Sequence, residues 1–207
     1  MSDTIDYYSF CLSPFTLFGH DALKAVADRH GKAINYKPMK LFSVWENSEA
    51  VPPAKRPPVR QRYRFIELQR IALQRGIEIN LKPAFFPTDP TLADNAAVAI
   101  AAAGGNPHGF MAAIGRAVWC EDRNVADEAV VRDCLSATGH DADAVIAAAN
   151  NPKSEAQRDQ NTRDAVEADA IGAPAYVYQG EVFWGQDRVE MLDDMIASGR
   201  PPFGQPA

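Results

Sequence analysis

Two short β-forming runs separated by one amphipathic helix open the chain, and this order constrains the fold more than anything that follows. Residues 5–12, IDYYSFCL, are rich in aromatic and β-favouring side chains. A helix over 14–30 carries Leu17, Phe18, Leu23, Val26 and Ala27 on one apolar stripe, and Gly31 is placed to end it. INYKPM (34–39) is the second strand. A helical crossover returns the chain to the end of the sheet it left, so the two strands pair in parallel and the unit is right-handed.

The next stretch, LFSVWENSEAVPPAKRPP (41–58), contains four prolines and is expected to be a long connection without helix or central strand. Helical periodicity then takes over at roughly 59–75, 91–103, 107–120, 126–137, 141–149 and 153–170. AYVYQGEVFWG (175–185) is two short strands around Gln179-Gly180, and Gln186-Asp187 opens a terminal helix. The layout is β-α-β, a helical block, then β-β-α, which lets the two ends of the chain share a four-stranded mixed sheet.

Composition excludes several classes. A formal net charge of −6 argues against a nucleic-acid surface, and no apolar run reaches membrane-spanning length. The start MSDTIDYYSF lacks the basic and apolar regions of a secretion signal, so the expected compartment is the cytoplasm. Cys11, Cys120 and Cys134 form no CxxC and no metal-ligand spacing, and are read as small buried hydrophobes.

Two local signals stand out. Ser13 precedes Pro14 at a strand-to-helix junction, where serine is a preferred cap and proline a preferred first residue. Pro174, in Gly172-Ala173-Pro174, stands at the mouth of a strand, where an ordinary trans proline or a cis bond are the two readings.

The order of elements, with a proline before the third strand, resembles the thioredoxin-type fold, in which a cis-proline faces the N-terminus of the first helix. The position that holds a reactive cysteine in that fold is Ser13 here, so thiol exchange by the protein itself is excluded. YYSFCLSPFTLFG (7–19) and GAPAYVYQGEVFWGQDR (172–188) resemble the 2-hydroxychromene-2-carboxylate isomerase family and the related kappa-class glutathione transferases. PVRQRYRFIELQRIA (58–72) and AVWCEDRNVAD (117–127) are similar to further segments of that family. The resemblance implies an α/β, DsbA-like thioredoxin fold built from 1–58 and 166–207, with a cis-proline and an inserted all-helical domain at 59–165.

It also implies glutathione as cofactor. The serine of the family's SP motif, Ser13 here, meets the thiol, and a hydroxyl at a helix N-terminus is suited to hold a thiolate. Ala173 and Pro174 flank the cysteinyl part, and the Gln186-Asp187 pair takes the γ-glutamyl end. Arg60 stands where the family commonly has lysine and supplies a cation for a carboxylate or a developing enolate. The family's usual strand-one acid is replaced by Phe10, and its Gly-Asn pair by Glu49-Ala50, so the asparagine's glutathione contact is either missing or supplied by Asn47. Phe15, Trp45, Trp119 and Trp184 are candidates to line a substrate pocket. The implied activity is glutathione-dependent isomerisation of an aromatic keto acid, trans-o-hydroxybenzylidenepyruvate, in bacterial aromatic-compound degradation. A kappa-class-like transferase and a cysteine-less binding module are the alternatives. Relatives in the family pair, so a homodimer is expected, and the 91–103 helix with Phe110, Met111 and Ile114 is read either as its patch or as core between helices.

Overall fold

The computed structural model describes residues 3–204. Strand β1 (Thr4–Ser9) runs into α1 (Pro14–Arg29), which returns to β2 (Ala33–Pro38), paired in parallel with β1 from Thr4↔Ala33 to Ser9↔Pro38. Near the C-terminus, β3 (Ala175–Tyr178) and β4 (Glu181–Trp184) form an antiparallel hairpin. β3 joins the other edge of β1 with Tyr7 opposite Tyr176, giving the mixed sheet order β2-β1-β3-β4. Between the strand pairs come α2 (Leu41–Ser48), α3 (Pro58–Arg75), α4 (Thr91–Ala102), α5 (His108–Trp119), α6 (Glu128–Ala137), α7 (Ala142–Ala149) and α8 (Pro152–Glu167). A 3-10 turn (Gln186–Arg188) precedes the last helix, α9 (Val189–Ser198).

The pleat divides the core. Ile5, Tyr7, Tyr176 and Tyr178 point to the face covered by Leu23 and Val26 of α1 and by Leu192 and Met195 of α9. Their neighbours Tyr8, Ala175 and Val177 point the other way, into a larger core built with Ala96, Ile100, Phe110, Ile114, Trp119 and Leu135 of the helical block. On the first face the Tyr7 and Tyr176 rings stack with centroids 5.5 Å apart, a cross-strand pair that secures the register of the N-terminal strand against the C-terminal hairpin.

Three expectations are corrected. Residues 41–48 are helical, because the prolines begin only at Pro52 and because Leu41 and Val44, three apart, bury one face in the main core. The terminal helix starts at Val189, three residues later than expected, after the 3-10 turn. Of the two readings of the 91–103 helix with Phe110, Met111 and Ile114, the core between helices holds for Ala96, Ala97, Ile100, Phe110 and Ile114, which are at most 3% exposed, while Met111 is partly buried. Of the three thiols only Cys134 is fully buried, while Cys11 is half-buried and Cys120 exposed. Among the described residues no helix is long and apolar enough to cross a membrane.

Candidate active site

β1 ends against the helical block, and a tight turn brings the chain to Ser13, whose N–H donates to the Phe10 carbonyl at 2.9 Å. Ser13 has extended backbone angles, and its Oγ accepts from the Thr16 N–H at 3.2 Å, so it caps α1. The same hydroxyl is 3.4 Å from the carbonyl oxygen of Ala173, to which it donates. That second bond is long, so the proton is held loosely and can turn to a better acceptor beside the positive end of α1.

The Ala173–Pro174 peptide bond is cis. The Pro174 carbonyl is already taken by the Gly185 N–H at 2.9 Å, which leaves the Ala173 peptide facing Ser13. Gly185 sits at φ 108°, ψ 151°, a conformation open essentially to glycine alone, and a Cβ there would lie 2.7 Å from Asp187 Oδ1. Next to this loop, a Cβ on Gly172 would lie 2.6 Å from Trp184 Nε1, so the half-exposed Trp184 indole lies directly over the residue before Ala173.

Gln186 is buried, and its Oε1 accepts from Arg75 Nε at 3.3 Å and Nη2 at 3.1 Å. Arg75 Nη2 also donates to the Gln186 main-chain oxygen at 3.2 Å and reaches Glu190 at the same distance. The acceptor oxygen of Gln186 is therefore occupied within the protein. Arg75, 111 residues away in sequence, is the anchor that periodicity alone did not reveal. Asp187 is exposed and pairs with Arg188.

The other expected residues are placed less uniformly. Phe15 is half-buried just after Ser13, and its ring contacts Phe18. The α3 cation over Phe15 is Arg64, whose guanidinium carbon is 5.8 Å from the ring centroid. Arg60, on the first turn of α3, and Asn47, on the last turn of α2, are exposed, and neither takes part in the hydrogen bonds at Ser13. Trp45 packs edge-on against Phe42. Trp119 does not line a pocket: it is 1% exposed, and its Nε1 donates to the Leu12 carbonyl at 3.3 Å, bracing the turn before Ser13 from behind. Phe10, in place of an acid, is buried in the main core. Glu49 ends α2 at φ 54°, a left-handed position that suits the glycine expected there.

Two buried polar groups beside α1 complete the electrostatics. Asp94 Oδ1 accepts from the Cys11 N–H at 3.2 Å, and burial raises its carboxyl to about 6 against the opposing pull of Arg158. Burial, reinforced by Asp94, pushes the Cys11 thiol well above its ordinary value, so it is no source of thiolate. An enclosed cavity of about 20 Å³ touches Cys11, Thr16, His20 and Asp94. It has room for one water, and Thr16 Oγ1 and Asp94 Oδ2, both buried without a protein partner, suit one. His20, Asp21 and His108 also cluster, but both His20 ring nitrogens are engaged, by Tyr7 Oη at 3.2 Å and by the His108 carbonyl at 2.9 Å.

The donor set suits a thiol-bearing peptide. It combines a loosely held hydroxyl at a helix N-terminus, the Ala173 peptide facing that hydroxyl, and an exposed carboxylate at Asp187. Comparison with known proteins agrees with this architecture. A curated 2-hydroxychromene-2-carboxylate isomerase from Sphingobium xenophagum is 25% identical over 197 residues, covering 95% of this chain and 99% of that protein. The solved structure of a 2-hydroxychromene-2-carboxylate isomerase superposes with a TM-score of 0.78 at 23% identity, covering 94% of this chain and 95% of that one. The cytosolic disulfide reductase DsbM from Pseudomonas aeruginosa, solved with GSH, gives 0.65 at 18% identity, covering 94% and 99%. A family model described as the DSBA-like thioredoxin domain matches residues 4–197, and the chain belongs to that family.

Proposed function

We propose that this protein is a glutathione-dependent isomerase of 2-hydroxychromene-2-carboxylate and its open form, trans-o-hydroxybenzylidenepyruvate. The observation that carries the reading is the Ser13 hydroxyl at the N-terminus of α1, loosely bonded to Ala173 across the cis-proline loop. Relatives named as 2-hydroxychromene-2-carboxylate isomerases support the substrate class.

When bound, glutathione supplies a thiol nucleophile whose reversible conjugate addition turns a fixed double bond into one that rotates freely. The chain's own residues do the rest. Ser13 releases the Ala173 carbonyl and donates its proton to the sulfur, while the helix dipole adds positive potential, and both lower the thiol pKa. The Ala173 peptide aligns the ligand backbone as an added strand does. The 3-10 turn held by Arg75 presents Asp187 to an ammonium group. Trp184, lying over Gly172, closes the loop side of the site.

Glutathione-dependent interconversion of the two isomers, followed by absorbance, tests this directly. Turnover that requires glutathione and leaves it unconsumed supports the reading. A stable glutathione conjugate identifies a kappa-class-like transferase instead, and a folded protein whose melting point does not respond to glutathione overturns both.

A further inference from the structure

α3 leans on α1 through Leu68, Ile71 and Ala72, which pack with Phe18 and Phe15. Arg64 lies one turn before Leu68 on the same face of α3, so this packing carries it to the start of α1, two residues from Ser13, over the Phe15 ring. Its Nε is buried and has no hydrogen-bond partner, which is unusual for an interior donor. Burial, and then the neighbouring charge of Arg56, push the Arg64 guanidinium below its ordinary value, with Glu67 opposing. Arg56 is lowered in the same way, by burial and then by Arg60. Half of the chain's fourteen arginines form ion pairs among the described residues; Arg64 does not, and its buried Nε finds no other acceptor there. Arg56 Nε is taken by the Val51 carbonyl at 2.8 Å, so it is the Arg64 guanidinium, beside the Phe15 ring and with a donor that nothing in the described chain accepts, that marks a place suited to an anion.

We propose that Arg64, with Arg56 beside it and the Phe15 ring beneath it, is the subsite for the carboxylate of the aromatic keto-acid substrate, an assignment that rests on the isomerase reading above. A guanidinium held near an aromatic ring by cation–π attraction spends no donor on that contact, and its edge matches a carboxylate in two parallel hydrogen bonds. Glutathione also carries carboxylates. The Phe15 ring beside Arg64 selects between the two sources, because an aromatic neighbour gains an edge contact with a conjugated ring and nothing specific with a peptide end.

Phenylpyruvate is a suitable probe, titrated by calorimetry into the wild-type protein with and without glutathione. Arg64→Leu is expected to weaken phenylpyruvate at least about tenfold, Arg64→Lys to an intermediate degree, and both to leave glutathione affinity within about twofold. If Arg64→Leu does not fold, Arg64→Lys and Arg56→Gln carry the test by the same criterion. Unchanged phenylpyruvate affinity overturns the proposal, as does a wild-type protein that does not bind it. A loss of glutathione affinity in place of phenylpyruvate affinity also overturns it, by assigning Arg64 to the peptide's carboxylate. Phenylpyruvate binding that depends on Arg64 in a protein without isomerase activity keeps the subsite and removes only the isomerase reading.

Discussion

The Ser13 hydroxyl donates to the Ala173 carbonyl at 3.4 Å while accepting from the Thr16 N–H at 3.2 Å. One oxygen thus caps a helix and faces the loop where the ligand's sulfur is proposed to sit. Ser13→Ala is expected to cost about 0.5–2 kcal/mol of stability through the lost cap. It is also expected to abolish most turnover. Ultraviolet titration of bound glutathione should show the thiol pKa raised by about one to two units, the size of a lost hydrogen bond to charge. An unchanged thiol pKa assigns Ser13 to capping alone.

Arg75→Met removes the donors that hold both the Gln186 amide oxygen and its main-chain oxygen. Gln186 is only 5% exposed, so water replaces those donors poorly. A stability loss of about 1.5–3 kcal/mol is expected in urea unfolding, with weaker glutathione binding as the 3-10 turn loosens. A variant as stable as wild type means that Gln186 repairs its bonds locally.

Asp94 and His20 oppose one another in their response to pH. Burial raises Asp94 to about 6, so its contribution to stability is complete below about pH 3.9 and is lost as the pH rises through 6. Burial, and then the neighbouring His108, lower His20 to about 4, so its contribution is present above about pH 6.5 and is lost as the pH falls through 4. Each is on the order of 3 kcal/mol, and over pH 4–6 the two offset each other. Asp94→Asn keeps an acceptor for the Cys11 N–H and removes one arm. The variant is expected to be more stable than wild type at pH 7, by up to about 3 kcal/mol, and to lose stability steeply on acidification. Urea midpoints across pH 4–7.5 read both effects, and parallel curves for the two proteins contradict the assignment.

Gly185→Ala places a Cβ 2.7 Å from Asp187 Oδ1 at a backbone φ of 108°. A loss of about 1–3 kcal/mol is expected, together with weaker glutathione binding, because the residue carries the loop from β4 into the 3-10 turn. Chemical denaturation and a glutathione thermal-shift titration measure the two effects separately.

Local order was readable wherever one periodicity ran unbroken. β1, α1 and β2 follow from apolar spacing and Gly31, and the hairpin follows from Gln179-Gly180 between two β-forming runs. α2 was hidden because four prolines in the same stretch dominate its local signal, although they all lie beyond the helix. At the site, local chemistry marks Ser13 as a cap and Pro174 as a strand-mouth proline, and the family resemblance is what turns both into site residues. Arg75 and Arg64 carry no such mark, because each acts on a partner in another part of the chain and looks locally like one more charge on a polar helix. Trp119 misleads for the same reason, since only the packed core shows that its indole is interior.

The pairing of β1 with β3 also bears on how the protein is made. Ser13 leaves the ribosome early, but its partner follows 160 residues later, and no earlier segment supplies the third strand. At 5–20 residues per second that interval is roughly 8–30 s, during which the N-terminal βαβ unit has one edge of its central strand unpaired. The helical block is synthesised in that interval and covers the apolar side of Tyr8 and Phe10, so it shields the nascent sheet before the hairpin arrives to complete it.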